Sequence, residues 1–179
     1  MSQAPIVHTL MILFSLVNIA LATAALAQTV PVGQSIAIRD FQGNVFDLAD
    51  RSTQPFSPVQ SLNFKPGEAA QIWVIEQNGT QFTIRNVISE SILSTTATIA
   101  GTPSDRKSIQ LVGGGANVAV PQWNISANGA SFNIIDPLSQ LAVTSWLATT
   151  SSIITPTTPL TLQLFDPKAT QQIFTFVNV

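Results

Sequence analysis

WVIEQNGTQFTI at residues 73–84 and WNISANGASFNI at residues 123–134 are identical at six of twelve positions, with no gap. Both read as a strand, a turn and a second strand. Trp73 and Ile75 alternate onto one face, and Phe82 and Ile84 share the next. Between them, Asn78-Gly79 is a hairpin signal, because both residues tolerate the positive φ that tight hairpins need. The second copy repeats this with Trp123, Ile125, Asn128-Gly129, Phe132 and Ile134.

A third copy is split between the two ends of the chain. Gln172-Ile173-Phe174-Thr175-Phe176 matches Gln71-Ile72-Trp73-Val74-Ile75, and Ser35-Ile36-Ala37-Ile38-Arg39-Asp40 matches Gln81-Phe82-Thr83-Ile84-Arg85-Asn86. The sequence therefore contains three units, closing near Ile75, Ile125 and Phe176. Each carries a further apolar run in its middle, within 59–64, 109–112 and 160–165. A unit of a few short strands cannot bury its apolar face alone, so the three must close on one another. About four strands per unit are expected, and no 3.6-residue period argues for helix in 28–179.

The closing phrases Gln71-Ile72-Trp73 and Gln172-Ile173-Phe174 resemble the Gln-x-aromatic motif of the ricin B-type β-trefoil lectin family. The middle unit departs from it with Pro121-Gln122-Trp123. The resemblance spans residues 28–179, and the absence of cysteine is more like the fungal members than the plant toxin chains. It implies an all-β fold, a short barrel capped by three hairpins with pseudo-threefold symmetry. It also implies sugar binding without catalysis, with up to one shallow pocket per unit. In such a pocket an Asp accepts sugar hydroxyls, an aromatic stacks on the sugar face, and a polar side chain near the closing motif completes the grip. A carboxylate acceptor and an aromatic plane suit a pyranose on chemical grounds as well.

Carried onto this chain, the family pattern places the ligand Asp at Asp47, within Gly43-Asn44-Val45-Phe46-Asp47. The aromatic falls on Phe64, displaced by two or three residues, and the polar partner on Gln71, with Ala70 where an Asn is expected. The acidic position falls near Ser94 in the second unit and on Val143 or Thr144 in the third. Asp47 also reads as a strand-end carboxylate bonded locally. Trp146 lies outside the closing motifs, beside the third pocket. It is either satellite core or a displaced stacking platform.

Residues 10–27, LMILFSLVNIALATAALA, are apolar and end in Ala25-Leu26-Ala27, which reads as a signal peptide over 1–27 cleaved before Gln28. An uncleaved anchor competes, since the stretch approaches bilayer length. Residues 28–179 then form one secreted, extracellular domain containing no His, Met, Cys or Tyr. That composition rules out Ser-His-Asp and Cys-His catalysis and the usual zinc sites. Asp47 and Asp50 are the nearest carboxylate pair for glycosidase chemistry. No cofactor is expected.

Seven basic and nine acidic residues are dispersed, so nothing marks a nucleic-acid partner or a membrane surface. Gly113-Gly114-Gly115 reads as a loop tip. Asn78-Gly79-Thr80 and Asn124-Ile125-Ser126 are N-glycosylation sequons. The Ser/Thr/Pro-rich stretches 94–104 and 144–161 read as loops or edge strands. Two functions are compatible with this sequence. One is recognition of a carbohydrate or glycoprotein glycan. The other is a protein-binding trefoil, protease-inhibitor-like, that meets its partner through loops.

Overall fold

Short runs of alternating apolar and polar residues between turn residues become strands throughout a computed structural model. It describes residues 28–95, 109–114, 121–147 and 157–179. The leader assigned to 1–27 lies outside them. Among the described residues there are twelve strands, four per unit. The first unit holds β1 (Ser35–Arg39), β2 (Val45–Leu48), β3 (Ser57–Leu62) and β4 (Trp73–Asn78). The second holds β5 (Gln81–Asn86), β6 (Ile92–Thr95), β7 (Ile109–Gly114) and β8 (Asn124–Asn128). The third holds β9 (Ser131–Ile135), β10 (Leu141–Ser145), β11 (Thr158–Leu164) and β12 (Thr175–Asn178). No helix among them is long and apolar enough to cross a membrane.

The first and last strands of the units form a closed ring. β1 pairs with β4, β4 with β5, β8 with β9, and β12 with β1. The bridges Phe82–Trp123 and Phe132–Phe174 complete the circuit. Two of the six junctions in this ring are thus single bridges rather than ladders. The inner strands form hairpins β2–β3, β6–β7 and β10–β11. Their second strands also pair mutually, β3 with β7, β7 with β11 and β11 with β3, making a three-sided cap on the barrel.

Two local readings are corrected. Asn78 pairs with Gln81 and Asn128 with Ser131, so the hairpin turns are Gly79-Thr80 and Gly129-Ala130. Only the glycines take positive φ there, at +63° in each turn. This is the pattern of a turn needing one left-handed residue, at its first central position, and Asn is left to end the strand. Gly113 and Gly114 belong to β7 and are buried, not at a loop tip. A Cβ on Gly113 would stand 2.9 Å from Leu48 Cδ1 and 3.0 Å from Ser91 Cβ. A larger residue there would have to displace the Leu48 and Ser91 side chains packed over the glycine. Gly115 lies outside the described residues.

The core is built from symmetry-related sets. Ile38, Ile84 and Ile134 are fully buried, as are Trp73, Phe132 and Phe174, while Trp123 is 1% exposed. Phe46 meets Phe174 edge-on at 5.2 Å, and Phe132 stacks on Phe176 at 4.4 Å. The closing tryptophans also carry a hydrogen bond each. Trp73 Nε1–H donates to the Phe46 carbonyl and Trp123 Nε1–H to the Leu93 carbonyl, both at 3.0 Å. Phe174 has no such donor. The seam between the third and first units is polar instead. Asp40 Oδ2 accepts from the hydroxyls of Ser61 and Ser145, each at 2.6 Å, and Oδ1 accepts from the backbone N–H of Gln42 and Asn44.

Trp123→Phe keeps most of the buried apolar surface but orphans the Leu93 carbonyl. Urea unfolding should show a loss of about 1–3 kcal/mol. Trp123→Ala should cost more, roughly 3–5 kcal/mol, because a cavity is added.

Candidate functional site

The indole bonds supply the alignment of the units. Trp73 reaches Phe46 and Trp123 reaches Leu93, so the next residues, Asp47 and Ser94, are equivalent. In the third unit Gln172 Nε2 donates to Thr144 Oγ1 at 3.2 Å, which makes Thr144 the third equivalent and sets Val143 aside. The cross-strand neighbours are Gln60, Val112 and Thr161. The three positions thus hold Asp47 with Gln60, Ser94 with Val112, and Thr144 with Thr161. A carboxylate is present in one.

Asp47 is 5% exposed, in the middle of β2. Its Oδ1 accepts from Gln60 Nε2 at 3.0 Å and its Oδ2 from Gln71 Nε2 at 3.1 Å. Each carboxylate oxygen has two lone pairs, so the two amides leave acceptor capacity for a ligand hydroxyl. Asp50 is not part of the arrangement. It is exposed in the short 3-10 turn 49–51, with φ +57°. Among the described residues no three His, Cys, Asp or Glu side chains gather where a metal could sit.

Gln71 is fully buried. Besides reaching Asp47, its Nε2 donates to the Asn63 carbonyl at 3.0 Å and its Oε1 accepts from Lys65 N–H at 2.8 Å. Gln172 does the same in the third unit, donating to the Leu164 carbonyl and accepting from Asp166 N–H, both at 2.8 Å. The amide of the closing motif therefore straps the loop after the cap strand and positions the β2 residue. Pro121 has no amide to do either in the second unit.

Phe64 lies within the loop that Gln71 straps. It is half-buried, and the Arg39 guanidinium stands 5.9 Å from its ring centroid. Trp146 is 42% exposed and follows β10 directly. Its indole N–H donates to Thr161 Oγ1 at 2.8 Å, and its carbonyl accepts from Gln42 Nε2 at 2.8 Å. The indole N–H is thereby tied to the cross-strand neighbour of Thr144. Sequence reasoning singled out Trp146 but not its anchors. Thr161 and Gln60 become visible only once the hairpin register is known, and residues 49–56 separating β2 from β3 do not fix that register by turn chemistry.

Asn78 is exposed at the end of β4, while Asn124 is half-buried at the start of β8. A cavity of about 490 Å³ opens between the N-terminal segment and β12, lined by Gln28, Pro31, Gln34, Phe176 and Asn178 among others. It contains none of the candidate sugar-binding residues Asp47, Phe64, Gln71 and Trp146.

Neither a family model nor a curated protein matches the sequence. Solved structures do match the fold. A ricin B-like lectin of Macrolepiota procera, solved in complex with lactose, superposes with a TM-score of 0.66 at 22% identity, covering 85% of this chain and 100% of that one. The Rhizoctonia solani agglutinin gives 0.67 at 18% identity, covering 85% and 99%. The chain has the β-trefoil fold of the ricin B-like lectins. A designed threefold-symmetric protein, ThreeFoil, also superposes, with a TM-score of 0.64 at 13% identity, covering 81% of this chain and 99% of that one. Its threefold symmetry parallels the equivalence of the units described above.

Gln71→Ala would leave the Lys65 N–H and the Asn63 carbonyl without their partner and free one side of Asp47. A stability loss of about 2–4 kcal/mol is expected, on the scale of two or more orphaned buried groups. Hydrogen exchange should show the Lys65 amide losing its protection, while that of Asp166, held by Gln172, is unchanged.

Proposed function

We propose that the protein is a secreted, non-catalytic carbohydrate-binding protein that engages a glycan through the first and third units. The observation that carries this reading is Trp146: an exposed indole whose N–H is already tied to Thr161. An aromatic plane is what the C–H face of a sugar requires, and tethering it beforehand lowers the entropy cost of binding. Asp47 is the companion polar anchor, poised by Gln60 and Gln71. Of the three neighbours described above, one is a lectin solved in complex with lactose and another is an agglutinin. In this reading Gln71 is a positioning residue, and Phe64 contributes at the edge of the first unit. The leader over 1–27 carries the chain out of the cell, and Asn78 and Asn124 are glycan acceptors, the exposed Asn78 being the more accessible.

A second reading is favoured by a specific observation. Trp146, Leu147, Leu164 and Phe165 are all exposed, and two of the three unit positions lack a carboxylate. Exposed apolar side chains at the two ends of the β10–β11 hairpin suit a protein partner bound through loops.

A glycan array probed with the secreted protein, Asp47→Ala and Trp146→Ala separates these. The expected result is glycan binding that falls at least tenfold in one variant or both, with unfolding midpoints close to wild type for Trp146→Ala. No glycan binding by folded wild-type protein would sink the carbohydrate reading. Co-purification of one protein partner that survives free sugar would then support the second. Mapping of tryptic peptides before and after enzymatic removal of N-glycans should show the Asn78 peptide modified, and Asn78→Gln should abolish that mass difference.

A further inference from the structure

Arg39, Arg85 and Ile135 are equivalent positions, each following the buried isoleucine of the first strand of its unit, Ile38, Ile84 and Ile134. The two arginines have opposite surroundings. Arg85 is neutralised twice: Nη2 lies 3.1 Å from Glu76, and Nε 3.6 Å from Glu90. Its Nε also donates to Glu76 at 3.2 Å. The bond from Arg85 holds the Glu76 carboxyl below the usual carboxylate range, against the opposing effect of partial burial.

Register carries these partners onto the first unit. Arg85 pairs across with Val74, two residues before Glu76, and Arg39 pairs across with Thr175, two residues before Val177. Glu90 lies one residue before Ser91, which accepts the turn-closing hydrogen bond from Asn86. Gly43 lies one residue before Asn44, which accepts the same bond from Asp40. Valine and glycine therefore stand where Arg85 has its two glutamates.

The consequence is an unneutralised guanidinium. Arg39 Nε is buried without a hydrogen-bond partner. It is the same nitrogen that in Arg85 donates to a carboxylate. Among the described residues Arg39 has no ion pair, and its one contact of note is the face of Phe64. The neighbouring carboxylate, Asp40, is committed to Ser61, Ser145 and two backbone amides. Lys65 follows Phe64 in the strapped loop, is exposed, and adds a second positive charge without an ion pair among the described residues. A buried donor of a charged group left unpaired is costly, and a planar fork beside an aromatic face fits a carboxylate or sulfate on a flat ligand.

We propose that Arg39, Phe64 and Lys65 form an anion subsite on the first unit, and that the glycan bound there is acidic, bearing a carboxylate or sulfate that Arg39 takes. This rests on the carbohydrate reading above and names the ligand class within it. Asp47, in the adjoining strand, serves hydroxyls. Gln71 connects the two, since it bonds both Asp47 and the backbone flanking Phe64. The acidic group is held at the rim rather than against the Asp47 carboxylate.

The test pairs an array of matched neutral and acidic oligosaccharides with NMR titration, following Arg39 Nε–H and the Phe64 ring protons. Wild-type protein should prefer the acidic member of a pair by about tenfold or more, as charge-assisted hydrogen bonds allow. The preference should weaken with added salt. Arg39→Gln should abolish it, and Arg39→Lys should retain part of it, lacking the fork. Lys168→Gln, an equal loss of charge in the third unit, should leave it intact. Equal affinity for neutral and acidic glycans, or an acid preference that survives Arg39→Gln, would overturn the proposal. Titration with inorganic sulfate separates the two levels of the reading. If no glycan binds but sulfate moves Arg39 Nε–H, the anion subsite stands and the saccharide assignment fails. If neither moves it, the subsite is overturned as well.

Discussion

The pairing of β1 with β12 closes the barrel, and the rest of the architecture depends on it. Four consecutive residues of β1, Ile36 to Arg39, are registered against Asn178 to Thr175 from the other end of the chain. Without that ladder the third unit lacks its partner strand, and the cap strands lose the frame that holds them together. The Asp40–Ser61–Ser145 cluster is a second lock on the same seam, joining residues 105 apart in sequence. Contacts of such long sequence separation carry a loop-closure entropy that the hairpins within each unit do not.

Threefold equivalence is also what makes the departures from symmetry informative. Where the three units agree, in Ile38, Ile84 and Ile134 or in the cap strands, the residue is doing something every unit needs: filling the axis or closing the triangle. Where they disagree, the position has been released from that duty. Gln71 and Gln172 strap their loops, while Pro121 cannot. Asp47, Ser94 and Thr144 share one backbone position and differ in what they can bind. Arg39 and Arg85 share another and differ in whether their charge is satisfied within the chain. The departures that leave a carboxylate, an exposed indole or an unpaired guanidinium thereby fall in the first and third units.

Much of the fold was legible because its signal is local and repeated. Alternation in Trp73–Ile75 and Phe82–Ile84 marks the faces, and the ungapped second copy fixes the period. The split third copy announces ring closure, since matching halves at the two ends have nowhere to pair except with each other. The sequence places the turn one residue early, because Asn and Gly both tolerate positive φ and only the three-dimensional twist decides which supplies it. Gly113 looks like a loop tip because a glycine under packed side chains looks, in sequence, like one demanded by a turn.

The candidate site was legible by residue but not by relation. Asp47 and Trp146 are visible as unusual side chains in suggestive places. That Gln60 and Gln71 hold Asp47, that Thr161 and Gln42 hold Trp146, and that Arg39 lacks the partners Arg85 has are facts of register and packing between distant strands. The sequence by itself determined three units, their apolar faces and the need to close, because hydrophobic periodicity is a local property of the chain. The tertiary structure alone decided which polar groups are spent on one another and which, like Arg39 Nε, are left unpaired, because hydrogen bonds and charges are satisfied in space rather than along the chain.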